Sequence, residues 1–327
     1  MKRSIRLLLT TTCVFAAAAV TSTTATAQDW PNRPVKLVVP FPAGGPTDMI
    51  GREVAEVLRA EFKQPVIVEN RPGGNGTLGL GVLAKSPADG YTIGLVAITV
   101  AIAPHLGNAG FDSFKDFTYI SNVASTTPVL VAAKDAPYST LSELVTYAKA
   151  NPGKIAYGTP GVGTIPHLAA ELFQTQAGVQ FNHIPYKGAQ QQIQDLIGGS
   201  TQLDSQSSLV VAGPQIKAGR IKALAVLSEQ RSPQLPDTPT AKESGYPGLV
   251  VAPWFGIGGP AGLPPEVVQK VHAALVKGFE RSDVQEKFTA NGNVIHISKS
   301  PAEFRQYANT EFARWGKVIK DGGIKGE

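Results

Sequence analysis

The chain has 327 residues, 43% hydrophobic and 17% charged, with 34 glycines and 25 prolines, a balance that excludes a disordered acidic or basic tail. Its length suits two domains better than one core. The net charge of +5 falls to about +2 without Lys2, Arg3 and Arg6, a poor footprint for nucleic acid, and the single cysteine, Cys13, lies in the same leader.

That leader reads as an export signal. Three cations precede an apolar stretch from Leu7 to Val20, about fourteen residues and short for a bilayer. Ala25-Thr26-Ala27 supplies the small-x-small pattern, so cleavage is expected between Ala27 and Gln28, with residues 1–27 removed. A retained membrane anchor is the alternative, and the short, threonine-rich stretch argues against it. No later segment is apolar enough to span, so a soluble protein exported to the periplasm is expected.

Strand and helix patterns then alternate. Val35 to Pro40 reads as a buried strand, and Ile50, Val54, Val57 and Leu58 share one helical face. Strands follow at Val66–Glu69 and Tyr91–Val96. The second half repeats the theme: strand Val129–Ala133, helix Leu141–Ala150, strand Ile155–Gly158, helix Pro166–Gln176, strand His183–Tyr186, helix Gln190–Ile197, strand Ile221–Val226. Helices are expected over Glu266–Phe279, Val284–Ala290 and Ala302–Ile319. The succession predicts an α/β fold of two lobes, each a mostly parallel sheet flanked by helices. The chain breaks naturally near 124–128, and a return near 250–254 would place the C-terminal helices on the first lobe.

Two glycine-rich loops stand between strand and helix. The first runs Pro40-Phe41-Pro42-Ala43-Gly44-Gly45-Pro46-Thr47-Asp48, and the second from Tyr157 through Gly161, Gly163 and Thr164 to His167. Glycine permits close backbone approach, and a helix N-terminus offers unpaired N–H groups to an anion. Neither loop contains Lys or Arg, so a carboxylate would be held by amides, hydroxyls and waters. Turn chemistry alone would also account for the glycines, and Thr47 or Asp48 would equally serve as a helix cap.

Other chemistries fare worse. Gly74-Asn75-Gly76-Thr77-Leu78-Gly79 matches a dinucleotide fingerprint, but the next strand ends without the ribose-binding acid, and no cofactor is expected. The five histidines show no metal-ligand spacing, and no G-x-S-x-G elbow occurs. Serines 205, 207 and 208 lie near Asp204 without a base close in sequence. No metal site and no catalytic residue is therefore expected. Trp254, at the return crossing, is open to two roles, pocket wall or core.

Taken in order, these residues resemble the Bug/TctC family of periplasmic solute-binding proteins of tripartite tricarboxylate transporters. The resemblance covers nearly the whole mature chain. It rests on Trp30-Pro31, Phe41-Pro42-Ala43-Gly44-Gly45 with Asp48, Glu69-Asn70-Arg71-Pro72-Gly73 and Ala88-Asp89-Gly90-Tyr91-Thr92. It continues through Tyr157-Gly158, His167-Leu168-Ala169, His183-Ile184-Pro185-Tyr186-Lys187-Gly188 and Pro236-Asp237-Thr238-Pro239-Thr240 to Gly259-Pro260-Ala261-Gly262. It implies a Venus-flytrap binding protein, type II-like, with lobe one at 28–125 plus 254–327, lobe two at 126–253 and hinges near 124–128 and 250–254. It implies no enzyme activity, a small carboxylate ligand, membrane permease subunits as partners and a monomer. The ligand-binding residues it suggests are Phe41, Ala43, Gly44, Gly45, Asp48 and Thr99 from lobe one. From lobe two come Thr159, Gly161, Gly163, Thr164, His167 and Asp204.

Two departures from the family pattern, Pro46 in place of a third glycine and the Thr164-Ile165-Pro166 stretch, make the far pocket less polar and favour an apolar or aromatic acid. A ligand-sensing module for a two-component system would use the same fold. An exported enzyme, with Asp48 and Asp204 as a carboxylate pair, is the remaining alternative.

Overall fold

The computed structural model describes residues 29–107, 109–186, 189–290 and 292–325. The predicted leader with its cleavage point, and Lys187 and Gly188 of the resemblance, lie outside them. Residues 29–32 belong to a short separate unit in which the Trp30–Pro31 peptide is cis, and the unit beginning at Arg33 carries two sheets.

β1 (Val35–Val39) lies between β2 (Val66–Asn70) and β3 (Thr92–Ala97), parallel to both. Its sequence, VKLVV, is buried except at Lys36, as a strand covered on both faces requires. α1 (Pro46–Phe62) follows β1. Gly45 caps it, Pro46 takes the first helical position, and Ile50, Val54 and Leu58 are buried. A 3-10 turn (Gly74–Gly76) leads into α2 (Thr77–Ala84), and β3 leads into α3 (Thr99–Leu106).

β4 (Phe117–Thr126) ends in the first sheet, and after one residue β5 (Pro128–Ala133) enters the second. There follow α4 (Leu141–Ala150), β6 (Ala156–Thr159), α5 (Ile165–Ala177), β7 (Asn182–Pro185), α6 (Ala189–Ile197), β8 (Leu203–Ser208), α7 (Leu209–Lys217) and β9 (Ile221–Val226). The chain returns through β10 (Trp254–Pro260), which inserts between β3 and β4. It closes with α8 (Pro265–Phe279), α9 (Ser282–Ala290), β11 (Asn293–Ile295) and α10 (Pro301–Asp321). The strand orders are β11-β4-β10-β3-β1-β2 and β7-β6-β8-β5-β9.

The α/β two-lobed fold is as the sequence predicts, but the sheets are mixed rather than mostly parallel. β10 runs antiparallel to both β3 and β4, and β5 antiparallel to both β8 and β9. The reason is the double crossing. A chain that leaves one sheet by β4 and re-enters it by β10 must traverse it in the opposite sense.

Trp254 belongs to the core. It is fully buried, with ring centroids 5.6 Å from both Phe304 and Tyr307 of α10 in edge-on contact. The apolar cluster containing it runs on through Trp315 to Leu168 and Phe173 of α5, so the two lobes share packed interior. The Arg314 guanidinium adds a hydrogen bond to the Val250 carbonyl.

Gly256 in β10 shows how tight this packing is. A Cβ there would stand 2.2 Å from Phe304 Cζ and 2.6 Å from the Ser121 carbonyl oxygen. Gly256→Ala is therefore expected to cost about 1–3 kcal/mol. Thermal denaturation should show a midpoint lowered by roughly 2–4 °C per kcal/mol; an unshifted midpoint would show that Phe304 yields without cost.

Candidate functional site

The first loop is braced from below by one carboxylate. Gly44 has φ +80°, open to glycine at little cost, and its N–H donates to Asp48 Oδ2 at 2.8 Å. Arg52 Nε donates to the same oxygen at 2.8 Å, one helical turn further along α1. Asn70 Nδ2, at the end of β2, donates to Asp48 Oδ1 at 2.9 Å and to the Phe41 carbonyl at 3.0 Å. Parallel pairing explains the meeting, because Asn70 is in register with Val39, the last residue before the loop. Burial works against a charge on Asp48, but the hydrogen bonds from Arg52, Gly44 and Asn70 outweigh it and hold the carboxyl below its usual range.

Gly45 is different. Its φ is −83°, and among the described residues the one atom near a Cβ there would be the Pro42 carbonyl oxygen at 3.6 Å, an ordinary contact. Nothing among the described residues demands glycine at this position.

Phe41, Thr99 and the Gly74–Gly76 turn meet one another. A Cβ on Gly76 would lie 3.0 Å from Phe41 Cζ and 3.4 Å from Thr99 Oγ1, and Thr99 Oγ1 donates to the Asn75 carbonyl at 3.0 Å. The second loop reaches the same place from the other lobe. Asn75 Nδ2 lies 3.5 Å from the Val162 carbonyl oxygen, and Gly163 sits against Leu106 of α3, where a Cβ would come within 2.6 Å of Leu106 Cδ1. The stretch that imitates a dinucleotide fingerprint is thus the junction between the lobes.

The second loop is held by hydroxyls and imidazoles. Gly161 N–H donates to Thr159 Oγ1 at 3.3 Å, and Thr164 Oγ1 donates to the Gly161 carbonyl at 2.7 Å. Thr159 Oγ1 is also 2.7 Å from His183 Nε2. Gly163 N–H donates to His167 Nδ1 at 3.1 Å. His167, His183 and Tyr157 stack, with centroids 4.3 and 4.8 Å apart and interplanar angles of 9° and 20°. Asp204 pairs in register with Gly158, is 2% exposed, and accepts from Gln206 N–H at 3.1 Å. Burial pushes its carboxyl up to about 7, against the opposing hydrogen bonds.

The twelve candidate residues therefore fall into two groups. Phe41, Ala43, Gly44, Gly45, Thr99, Gly161 and Thr164 keep some exposure, whereas Asp48, Thr159, Gly163, His167 and Asp204 are buried among protein partners. The N–H groups of Gly44, Gly161 and Gly163 are occupied within the loops, which leaves the first turns of α1 and α5 as the places where N–H groups have no carbonyl four residues back. Sequence reasoning missed Arg52, Asn70, Asn75, Leu106 and His183 as participants. Asn70 carried a signal, since a strand parallel to β1 must end beside the first loop. Asn75 and Leu106 carried none, because only the approach of the lobes brings them to the second loop. A surface hollow of about 310 Å³ bordered by Phe114, Tyr119 and Arg305 includes none of these residues. Among the described residues no cluster of metal-ligating side chains occurs, and no helix is long and apolar enough to cross a membrane.

Asp48→Ala is expected to strand the Gly44 and Asn70 donors at a cost of about 1–3 kcal/mol by urea denaturation. Because the native carboxyl titrates below 3.8, that margin should be present above pH 3.8 and vanish as the pH falls through the lower native value. Asp204 carries the opposite sign. Its native state binds a proton that the unfolded chain has released between 3.8 and about 7, so stability falls as pH rises through that window. Asp204→Asn should therefore be more stable than the parent at pH 8, by at least about 1 kcal/mol, with the gain shrinking to nothing near pH 4; a pH-independent difference would contradict the burial argument.

The chain is similar along most of its length to known proteins. A family model described as the tripartite tricarboxylate transporter family receptor matches residues 50–324. Protein BugT of Bordetella pertussis is 34% identical over 315 residues, 95% of this chain and 96% of that protein. The structure of Rpa4515 from R. palustris with adipate superposes with a TM-score of 0.83 at 34% identity, covering 91% of this chain and all of the other. MatC of Rhodopseudomonas palustris with bound malate gives a TM-score of 0.77 at 29% identity, covering 89% and 100%. Solute receptors rather than enzymes make up this company, and the chain belongs to the tripartite tricarboxylate transporter receptor family.

Proposed function

We infer that this protein is an extracytoplasmic receptor that captures a small carboxylate in the periplasm and delivers it to the permease of a tripartite tricarboxylate-type transporter. In this reading residues 28–125 with 254–327 form one lobe, residues 126–253 form the other, and the hinges lie near 124–128 and 250–254. What supports it most is the meeting of both glycine loops on the Gly74–Gly76 turn and α3. A ligand lodged there would contact both lobes at once, and contacts available only when the lobes approach favour the closed state.

The grip needs no cation. Neither loop carries Lys or Arg, and Arg52, the cation beside the first, is bonded to Asp48. First-turn N–H groups of α1 and α5 would face the carboxylate, with the helix dipoles aiding. Gly45 leaves the ligand room, and Phe41 and Thr99 border the same space. Asp48, Thr159 and His167 hold the loops rather than the ligand. Two solved neighbours carry adipate and malate. With Pro46 and Ile165-Pro166 lowering the polarity of the far side, an acid with an apolar or aromatic body is favoured over a highly charged one.

Isothermal calorimetry and thermal shift against adipate, malate, benzoate and citrate test the reading. A ligand at a hundred times its Kd should stabilise the fold by about 2.7 kcal/mol. Gly45→Val should weaken that binding at least tenfold while leaving the unfolding midpoint of the free protein nearly unchanged, since the site tolerates a side chain. Failure of every carboxylate at millimolar concentration to move the midpoint would overturn the assignment.

A further inference from the structure

His167 was a candidate ligand contact, yet its ring is turned to the protein. Its Nδ1 accepts the Gly163 N–H at 3.1 Å, so that nitrogen carries no proton and the neutral ring bears its hydrogen on Nε2. Nε2 is 3.8 Å from Glu171 Oε1, too far for a hydrogen bond. One face of the ring is covered by His183 in a nearly parallel stack, and His183 is covered in turn by Tyr157.

We propose that His167 is a positioning residue of the carboxylate grip, holding the second loop in shape through the Gly163 amide only while Nδ1 is unprotonated, so that acidification loosens the grip from within the lobe. This inference rests on the receptor reading above.

The two imidazoles respond differently to a proton. Protonated His183 can donate from Nε2 to Thr159 Oγ1, whose own hydrogen then turns to the Gly161 carbonyl at 3.1 Å, and the network survives. Protonated His167 has no such exchange. A hydrogen on Nδ1 would point at the Gly163 N–H, donor against donor, and Gly163 is wedged against Leu106 with φ +73°. The loop must then leave either the ring or the other lobe.

The surroundings of His167 set the acid range of this effect. Glu171 on its own helix favours the charged ring, but Glu171 also accepts from the Tyr157 hydroxyl of β6 at 3.2 Å and from Gln174 Nε2 at 2.8 Å. From β7 comes His183. From β8 comes Asp204, whose carboxyl is bound by Gln206 N–H. Glu311 and Arg314 of α10, the helix packed on α5, pair with each other at 3.3 Å, and His105 of α3 is bonded to the Phe312 carbonyl. Burial, only partly offset by Glu171, holds His167 below its ordinary value, and burial with the facing His167 ring takes His183 down to about 4.

The test compares wild type, His167→Asn and His167→Ala, with adipate as probe, at pH 7.5 and pH 5.0. Asn places a non-titrating oxygen where Nδ1 was. At pH 7.5 His167→Asn should bind within about threefold of wild type and His167→Ala at least tenfold more weakly. Between the two pH values wild type should lose at least threefold more affinity than His167→Asn; adipate's own protonation is common to both and cancels. Parallel pH profiles, or normal binding by His167→Ala, would overturn the proposal. A ligand-free readout keeps the two readings apart. In wild type the Gly163 amide resonance should move with a titration below pH 6.5 that is absent from His167→Asn. If wild type binds no carboxylate at pH 7.5, the receptor reading falls, and a Gly163 resonance that ignores His167 overturns the positioning role independently.

Discussion

A loop can aim N–H groups at a ligand only if something else satisfies and fixes the rest of its backbone. Here that constraint is met by side chains from below. Asp48 gathers Gly44, Asn70 and Arg52 around one buried carboxylate, and the first loop has its shape as a result. In the second loop the same task is shared by Thr159, Thr164 and His167. The chemistry differs, charge on one side and neutral rings and hydroxyls on the other, but the outcome is common. The amides of Gly44, Gly161 and Gly163 are spent on shape, and the proposed recognition would fall to the helix first turns.

These bracing bonds lie within each lobe, and the lobes are joined by crossing strands and a shared apolar interior. β4 passes into β5 with one residue between them, and the return to β10 brings Trp254 into packing with α10. α10 then extends the shared interior to α5, the helix whose first turn follows the second loop. A change in loop geometry and a change in lobe packing therefore act on the same helix from its two sides. Leu106 against Gly163 is one close contact on that path, where an added Cβ would come within 2.6 Å of Leu106 Cδ1.

Much of this was legible in the sequence, for identifiable reasons. Strands β1, β2, β3 and β9 are rich in Val, Ile and Leu, and hydrophobic pattern finds such strands whichever way they pair. Several of the elements that escaped have a composition that contradicts their place. β8 reads LDSQSS, a polar string, yet Asp204, Ser205, Gln206 and Ser207 are all buried, with Ser205 Oγ bonded to the Pro166 carbonyl. β10 reads WFGIGGP, which looks like a turn, and its glycines are there because Phe304, Val96 and Leu263 press against the strand. α3 contains Pro104 and α2 two glycines, so neither declares a helix. At the site, the two loops were visible from their glycines and their strand-to-helix position. Asp48, Thr159, Thr164 and His167 were visible too, but their bracing role was not, because burying Asp48 beside Asn70 or stacking His167 on His183 follows from strand order, and strand order is not written in local pattern.

The placement of a carboxylate side chain at the very helix end suited to an anion looks self-defeating until its partner is counted. Asp48 stands in the first turn of α1, where its charge would cancel the roughly half positive charge that a helix N-terminus presents. Arg52, one turn on, bonds to it at 2.8 Å, so the pair adds little net field, and the dipole regains its sign at the mouth of the loop. Pro46 costs the helix nothing there, because the N–H it lacks has no intrahelical acceptor, but it takes one donor out of the first turn. On the proposed reading, the guanidinium would thereby favour an anion it need not touch. On that reading, such a site would recognise a carboxylate by fixed backbone direction, which leaves discrimination among acids to whatever lines the rest of the space.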